Sequence, residues 1–172
     1  LTKLKTSISD VIETNDEAKS ILSKTHHDGI TAVEYVENTA ISIMPKIESL
    51  EFLETRIDAA IIDFENNGDD ETLEILCAHL EGYKEVLDLL IEHLSFAVNS
   101  LIIFLRTLKE RHIEKDKLQT LCTSLLNLLH DLGAWREQIF IKQEALNIHY
   151  LDASLLSSCM QIEAIFEEKV SD

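Results

Sequence analysis

Apolar residues recur along this chain in steps of three and four. From Leu73 the pattern runs through Leu76, Leu80, Tyr83, Leu87, Leu90, Leu94, Ala97, Leu101 and Phe104 to Leu108 without losing phase. Such spacing keeps one face of an α-helix apolar, and a regular alternation of threes and fours turns that seam toward antiparallel neighbours. A second series starts at Leu118 and passes Leu121, Leu125, Leu128, Leu132, Trp135 and Ile139 to Leu146, interrupted at Lys142. A third joins Ile47, Leu50, Leu53, Ile57, Ala60 and Phe64. The three series predict long helices at about 46–66, 70–111 and 115–149.

Turn residues fall where these series end. Glu65-Asn66-Asn67-Gly68-Asp69 is the clearest turn, with Asn and Gly tolerating positive φ and an aspartate ready to cap the next helix. His26-His27-Asp28-Gly29 is a second break, and Pro45 ends or kinks a helix begun near Ile30 and starts the next. The charged stretch Arg111 to Asp116 marks a third, and Tyr150 to Asp152 precedes a short helix carrying Leu155, Ile162, Ile165 and Phe166. Residues 3–24 add a first helix, with Asn15 as a polar residue in its seam. The expected fold class is all-α, an elongated antiparallel bundle of five to six helices with coiled-coil-like seams. Its longest rod, 70–111 unbroken, would run about 60 Å at 1.5 Å per residue. No linker divides residues 1–172, so one domain is expected. The opening residue is Leu1 rather than Met, which suggests a domain excised from a longer protein.

Composition narrows the function. With 45% apolar residues in 172, the chain can bury a sizeable core, while four Gly and one Pro supply too few turn residues for an all-β fold. A formal charge of −17 repels phosphate and disfavours direct nucleic-acid binding. From the opening Leu1-Thr2-Lys3 and the polar helical pattern after it no signal peptide is expected, and the apolar run Leu94–Leu105 is shorter than the ~20 residues of a membrane span. Cys77, Cys122 and Cys159 are widely spaced and sit in apolar helical patterns, as expected of small buried hydrophobes in a reducing compartment. A cytoplasmic location follows from this usage, with a receptor ectodomain as the alternative.

Chemistry-bearing motifs are sparse. Bundle metal sites use Glu-x-x-His on two helices, and none of the seven histidines has a Glu three residues before it. Glu92 and His93 are adjacent and point apart, so neither a metal nor a cofactor is expected. Ser154, Ser157 and Ser158 lack a nucleophile elbow. The segment Arg106-Thr-Leu-Lys-Glu-Arg-His112 is similar to the Arg-x(4–6)-His spacing of the all-helical HEPN ribonucleases. That resemblance covers seven residues and implies Arg106 and His112 acting together on a phosphodiester. The preferred reading of the same residues is a basic helix end that complements the C-terminal dipole.

Two features point to binding instead. Residues 30–70 carry Glu34, Glu37, Glu48, Glu51, Glu54, Asp58, Asp63, Glu65, Asp69 and Asp70 against Lys46 and Arg56 alone. Glu48, Glu51, Glu54 and Asp58 are the candidate contacts to a basic protein partner steered by this field. The stretch Leu87–Leu105 adds Ile91, Phe96, Val98, Ile102, Ile103 and Leu105 to its seam and is apolar nearly all round. It predicts a central buried helix, Ile103 included, or the interface of a homodimer. The expected function is a non-enzymatic scaffold or signal-relay bundle. A HEPN-like ribonuclease is the first alternative, and a ligand-sensing receptor domain of the four-helix type the second.

Overall fold

The chain, described here by a computed structural model over residues 29–167, forms six α-helices and no strand among those residues. The expected helix at 3–24, with Asn15, and the His26-His27-Asp28 group lie outside the described residues. A short α1 (Ala32–Glu37) is capped by Thr31, whose hydroxyl accepts from the Glu34 amide at 3.3 Å. After one 3-10 turn (Ile41–Ile43), α2 (Met44–Asn67) begins with Pro45 in its first turn, where a missing N–H costs nothing. Gly68 then closes α2 in the left-handed region, at φ 63°. Asp69 opens α3 (Asp70–Asp88), its side chain accepting from the Thr72 amide at 2.9 Å. These caps satisfy backbone groups that a helix end leaves without partners.

The long rod expected at 70–111 is two helices. The Leu90 and Ile91 amides both donate to the Leu87 carbonyl at 2.9 Å, which tightens the last turn. Ile91 then takes an extended conformation and α4 (Glu92–Arg106) runs back along α3. No Gly or Pro marks the reversal. The three-residue turn preserves the phase of the apolar series, so Leu87 and Leu94 are both fully buried. The physical reason lies in the composition of α4, which is too apolar to project alone as a straight continuation and buries itself by folding back. Asp88 accepts a hydrogen bond from the Ser95 hydroxyl across this turn, and that bond, with Lys84, holds the Asp88 carboxyl below its usual range. At the far end the Glu110 amide donates to Asp70 Oδ1 at 3.0 Å, holding Glu110 at a left-handed φ of 61°.

The helix expected at 115–149 also stops early. α5 (Lys115–Arg136) passes into one π turn (Glu137–Ile141) and the chain then doubles back. The buried Trp135 indole N–H donates to the Ile148 carbonyl at 3.1 Å, and the Ala32 and Ile148 amides donate to the Ala145 and Ile30 carbonyls at 2.9 Å. These contacts require residues 142–151 to lie against α5 and the entry to α1. The interruption of the apolar series at Lys142 is the trace of this ending, and Leu146 is 84% exposed. α6 (Asp152–Ala164) completes the fold beside α4 and α5. Cys159 against the Ala97 carbonyl and Phe104 against Phe166 keep one sequence offset, so α4 and α6 run parallel.

A single hydrophobic core joins all six helices. α3 and α6 cover most of the apolar stretch 87–105, but Ile103 is 50% exposed, contrary to its expected burial, because it faces away from both. The longest helix among the described residues, α2 with 24 residues, extends about 36 Å rather than 60. All three cysteines are buried and free, and burial pushes the Cys77 thiol up to about 11 and those of Cys122 and Cys159 up to about 12. Among the described residues no helix is long and apolar enough to cross a membrane.

Two glycines make opposite predictions. A Cβ at Gly68 would sit 3.1 Å from Leu118 Cδ2 on a left-handed backbone, whereas one at Gly82, inside α3, would meet Leu53 Cδ2 at an ordinary 3.6 Å. Gly68→Ala should therefore destabilise the protein by about 1–2 kcal/mol in urea unfolding. Gly82→Ala should stabilise it by up to about 1 kcal/mol through helix propensity.

Candidate functional site

α2 carries the four acidic residues expected to meet a partner, and the fold separates one of them from the rest. Glu54 points inward between α3 and α5. Arg136 donates to it twice, Nε to Oε2 at 2.8 Å and Nη2 to Oε1 at 3.2 Å, and the Tyr83 hydroxyl donates to Oε2 at 2.9 Å. The two charged side chains are only 10% and 13% exposed. Burial works against the Arg136 charge, yet hydrogen bonds to Glu54 leave its pKa raised. Burial first, then the neighbouring carboxylate, pushes Tyr83 far up. Gly133 permits this approach, since a Cβ there would lie 3.0 Å from Glu54 Oε1. Glu54 is thus a structural tie among three helices, set apart from the exposed carboxylates of α2.

Glu48, Glu51 and Asp58 are exposed. At 100° per residue, Glu48, Phe52, Thr55, Ala59 and Ile62 fall within roughly 80° of the circumference of α2. All five are exposed, Phe52 at 59% and Ile62 at 46%. Glu51 and Asp58 form an acidic rail along one side of this stripe. Arg56 lies over the Phe52 ring at 4.5 Å from its centroid, a cation–π arrangement that covers one face of the aromatic. Beside the rail, a groove of about 700 Å³ runs between α2 and α5, walled by Asp58, Leu129, His130 and Gly133 with Glu54 and Arg136 at its base.

Arg106 and His112 occupy different surroundings. Arg106, at the end of α4, donates Nη1 to Glu81 at 2.7 Å and Nη2 to Glu74 at 3.2 Å. Those hydrogen bonds, Glu81 first, hold its guanidinium still more firmly protonated. Lys109 pairs with Glu74 at 2.5 Å, and with Arg106 it holds the Glu74 carboxyl below its ordinary range. His112 is exposed in the connection before α5. A phosphodiester reaching Arg106 would have to displace two carboxylates.

The arrangement that the sequence pattern missed lies where α4 and α6 begin. Because these helices are parallel, His93 in the first turn of α4 comes beside Asp152 in the first turn of α6. His93 Nδ1 is 3.2 Å and His149 Nδ1 2.8 Å from the same oxygen, Asp152 Oδ2. Asp152 is 2% exposed, and its other oxygen, Oδ1, is buried without a hydrogen-bond partner among the described residues. His149 is set by a tight turn in which Asn147 Oδ1 accepts from the His149 amide at 2.9 Å and the Asp152 amide donates to the His149 carbonyl at 3.1 Å. The two imidazoles are splayed at 45° with centroids 5.7 Å apart. This group contains no Glu-x-x-His and combines His149-x-x-Asp152 with a histidine 56 positions earlier. The His-x-x-Asp spacing was the available signal.

The separation of Glu54 from its neighbours is testable by stability. Glu54→Ala or Arg136→Ala leaves a largely buried charge without its partner and should cost about 3 kcal/mol or more. Glu48→Ala, Glu51→Ala and Asp58→Ala should each stay within about 0.5 kcal/mol, as surface changes do. Equal effects in denaturant unfolding across the four acidic positions would contradict this assignment. Comparison with known protein families, with curated proteins and with solved structures finds no match for this chain.

Proposed function

We propose that this chain is a non-enzymatic interaction module whose α2 face docks a basic amphipathic helix of a protein partner. One observation carries the reading. The outward side of α2 presents Phe52 and Ile62 along an exposed stripe bordered by Glu48, Glu51, Asp58 and Asp63, with Arg56 as its nearest cation. A helix with apolar residues at spacings of three and four, edged by Lys or Arg, matches both the stripe and the rail. The acidic field accelerates encounter, and the aromatic supplies contact area once the helices meet. A homodimer through residues 87–105 has less to recommend it, since the large apolar side chains exposed there are Leu89 and Ile103.

The test uses an amphipathic helical peptide of Lys and Leu as the probe, with association followed by fluorescence anisotropy. Reversing Glu48, Glu51 and Asp58 together to Lys should slow association at least tenfold at low salt and little at high salt, where the Debye length falls to a few ångströms. Phe52→Ala should speed dissociation instead. A control reversal of Glu85, Glu144 and Glu167, all exposed elsewhere, changes the net charge equally. If the control slows association as much as the α2 set, net charge alone governs binding and the proposed face is wrong.

A further inference from the structure

From the convergence of His93, His149 and Asp152 we infer that the N-terminal ends of α4 and α6 form a binding site for one divalent transition-metal ion of the zinc class. The donor set is two imidazole nitrogens and one carboxylate oxygen. Imidazole suits Zn²⁺ and its first-row neighbours, whereas Mg²⁺ and Ca²⁺ take oxygen donors. With bonds near 2.0–2.1 Å, donors sharing one tetrahedral ion lie about 3.3 Å apart. The observed 3.2 Å and 2.8 Å separations of the imidazole nitrogens from Asp152 Oδ2 already approximate that spacing. All three donor atoms lie within 4.8 Å of one another. A small tilt of the His149 ring, whose side chain is 32% exposed, closes the remaining gap.

The hydrogen-bond inventory supports an ion over a purely proton-bridged triad. Two donors satisfying a buried carboxylate would ordinarily divide between its oxygens, because a buried acceptor without a partner forfeits the hydrogen bonds it made to water. Here both imidazoles converge on Oδ2 and leave Oδ1 without a partner among the described residues, at 2% side-chain exposure. Convergence of two ring nitrogens on one carboxylate oxygen is the geometry that a single shared ion imposes. The ligands sit on rigid supports: His93 and Asp152 in helix first turns, His149 in the turn fixed by Asn147. Three protein ligands leave a coordination position open, and the partial exposure of both imidazoles, 15% and 32%, supplies the route by which the ion and a water reach it. This site shares no residue with the α2 face.

The experiment titrates the full chain with Co²⁺ and then displaces it with Zn²⁺, reading the visible d–d absorption of cobalt and the binding stoichiometry. One ion per chain is expected, with a band intensity typical of four- or five-coordination, and Zn²⁺ should abolish the band. His149→Ala should weaken apparent affinity at least 100-fold while leaving the far-ultraviolet circular dichroism unchanged, since that side chain is partly exposed. His93→Ala and Asp152→Asn should do the same, and the His149 variant keeps the test decisive if the buried Asp152 change disturbs folding. A triple change of His79, His112 and His130 to Ala should leave the titration as it was. Wild-type affinity in His149→Ala, loss of binding in the triple variant, or no d–d band in the wild-type chain would each overturn the site.

Discussion

The Leu87 carbonyl accepts hydrogen bonds from both the Leu90 and the Ile91 amides, and there the backbone leaves α3. Everything downstream depends on that reversal. It lays α4 antiparallel on α3, so that Arg106 returns to Glu74 and the Glu110 amide to Asp70. It also puts the N-terminus of α4 at the end of the bundle where α6 begins. His93 therefore reaches Asp152, although 59 positions separate them. Had the apolar series continued as one helix, Ile91, Val98 and Ile102 would have had no neighbours on their far side. Folding back buries each of them almost completely, at roughly 1.5–3 kcal/mol of transfer free energy per side chain.

A second tie fixes the other half of the bundle. Glu54 on α2 receives Tyr83 from α3 and Arg136 from α5, and Gly133 gives the carboxylate room against α5. Buried ion pairs contribute less to net stability than their Coulomb attraction suggests, but losing one partner is costly. Their effect here is to set the rotation of α2. With Glu54 turned inward, Glu51 and Asp58 are carried to the edge of the exposed stripe, and Phe52 and Ile62 face outward. The orientation of this exposed stripe is thus decided by a polar contact on the opposite side of the same helix.

Much of this architecture was legible in the pattern of residues. The caps at Gly68 and Asp69, Pro45 in the first turn of α2, the seams of α2 and α5 and the short final helix were all written in local chemistry. The reversal at 89–91 was not, because a tight turn without Gly or Pro preserved the three-four phase, and periodicity reports burial rather than direction. The end of α5 left a trace in Lys142, yet its cause is the distant acceptor of the Trp135 indole. At the candidate sites the same limit operates. Charge density drew attention to the carboxylates of α2, but whether Glu54 or Glu51 faced solvent depended on where Arg136 lay. His93 gained meaning only once α4 and α6 were known to be parallel.

The distance between positions 75 and 103 tests the reversal most directly. Ile75 on α3 and Ile103 on α4 are both exposed, so spin labels attached at Ile75→Cys and Ile103→Cys can be read by pulsed electron paramagnetic resonance. Cys77, Cys122 and Cys159 are buried and leave the labelling selective. Helices packed as neighbours have axes about 8–10 Å apart, so a label separation below about 25 Å is predicted. A distribution centred near 42 Å, the span of 28 residues in one straight helix at 1.5 Å each, would contradict the fold-back and with it the meeting of His93 and Asp152.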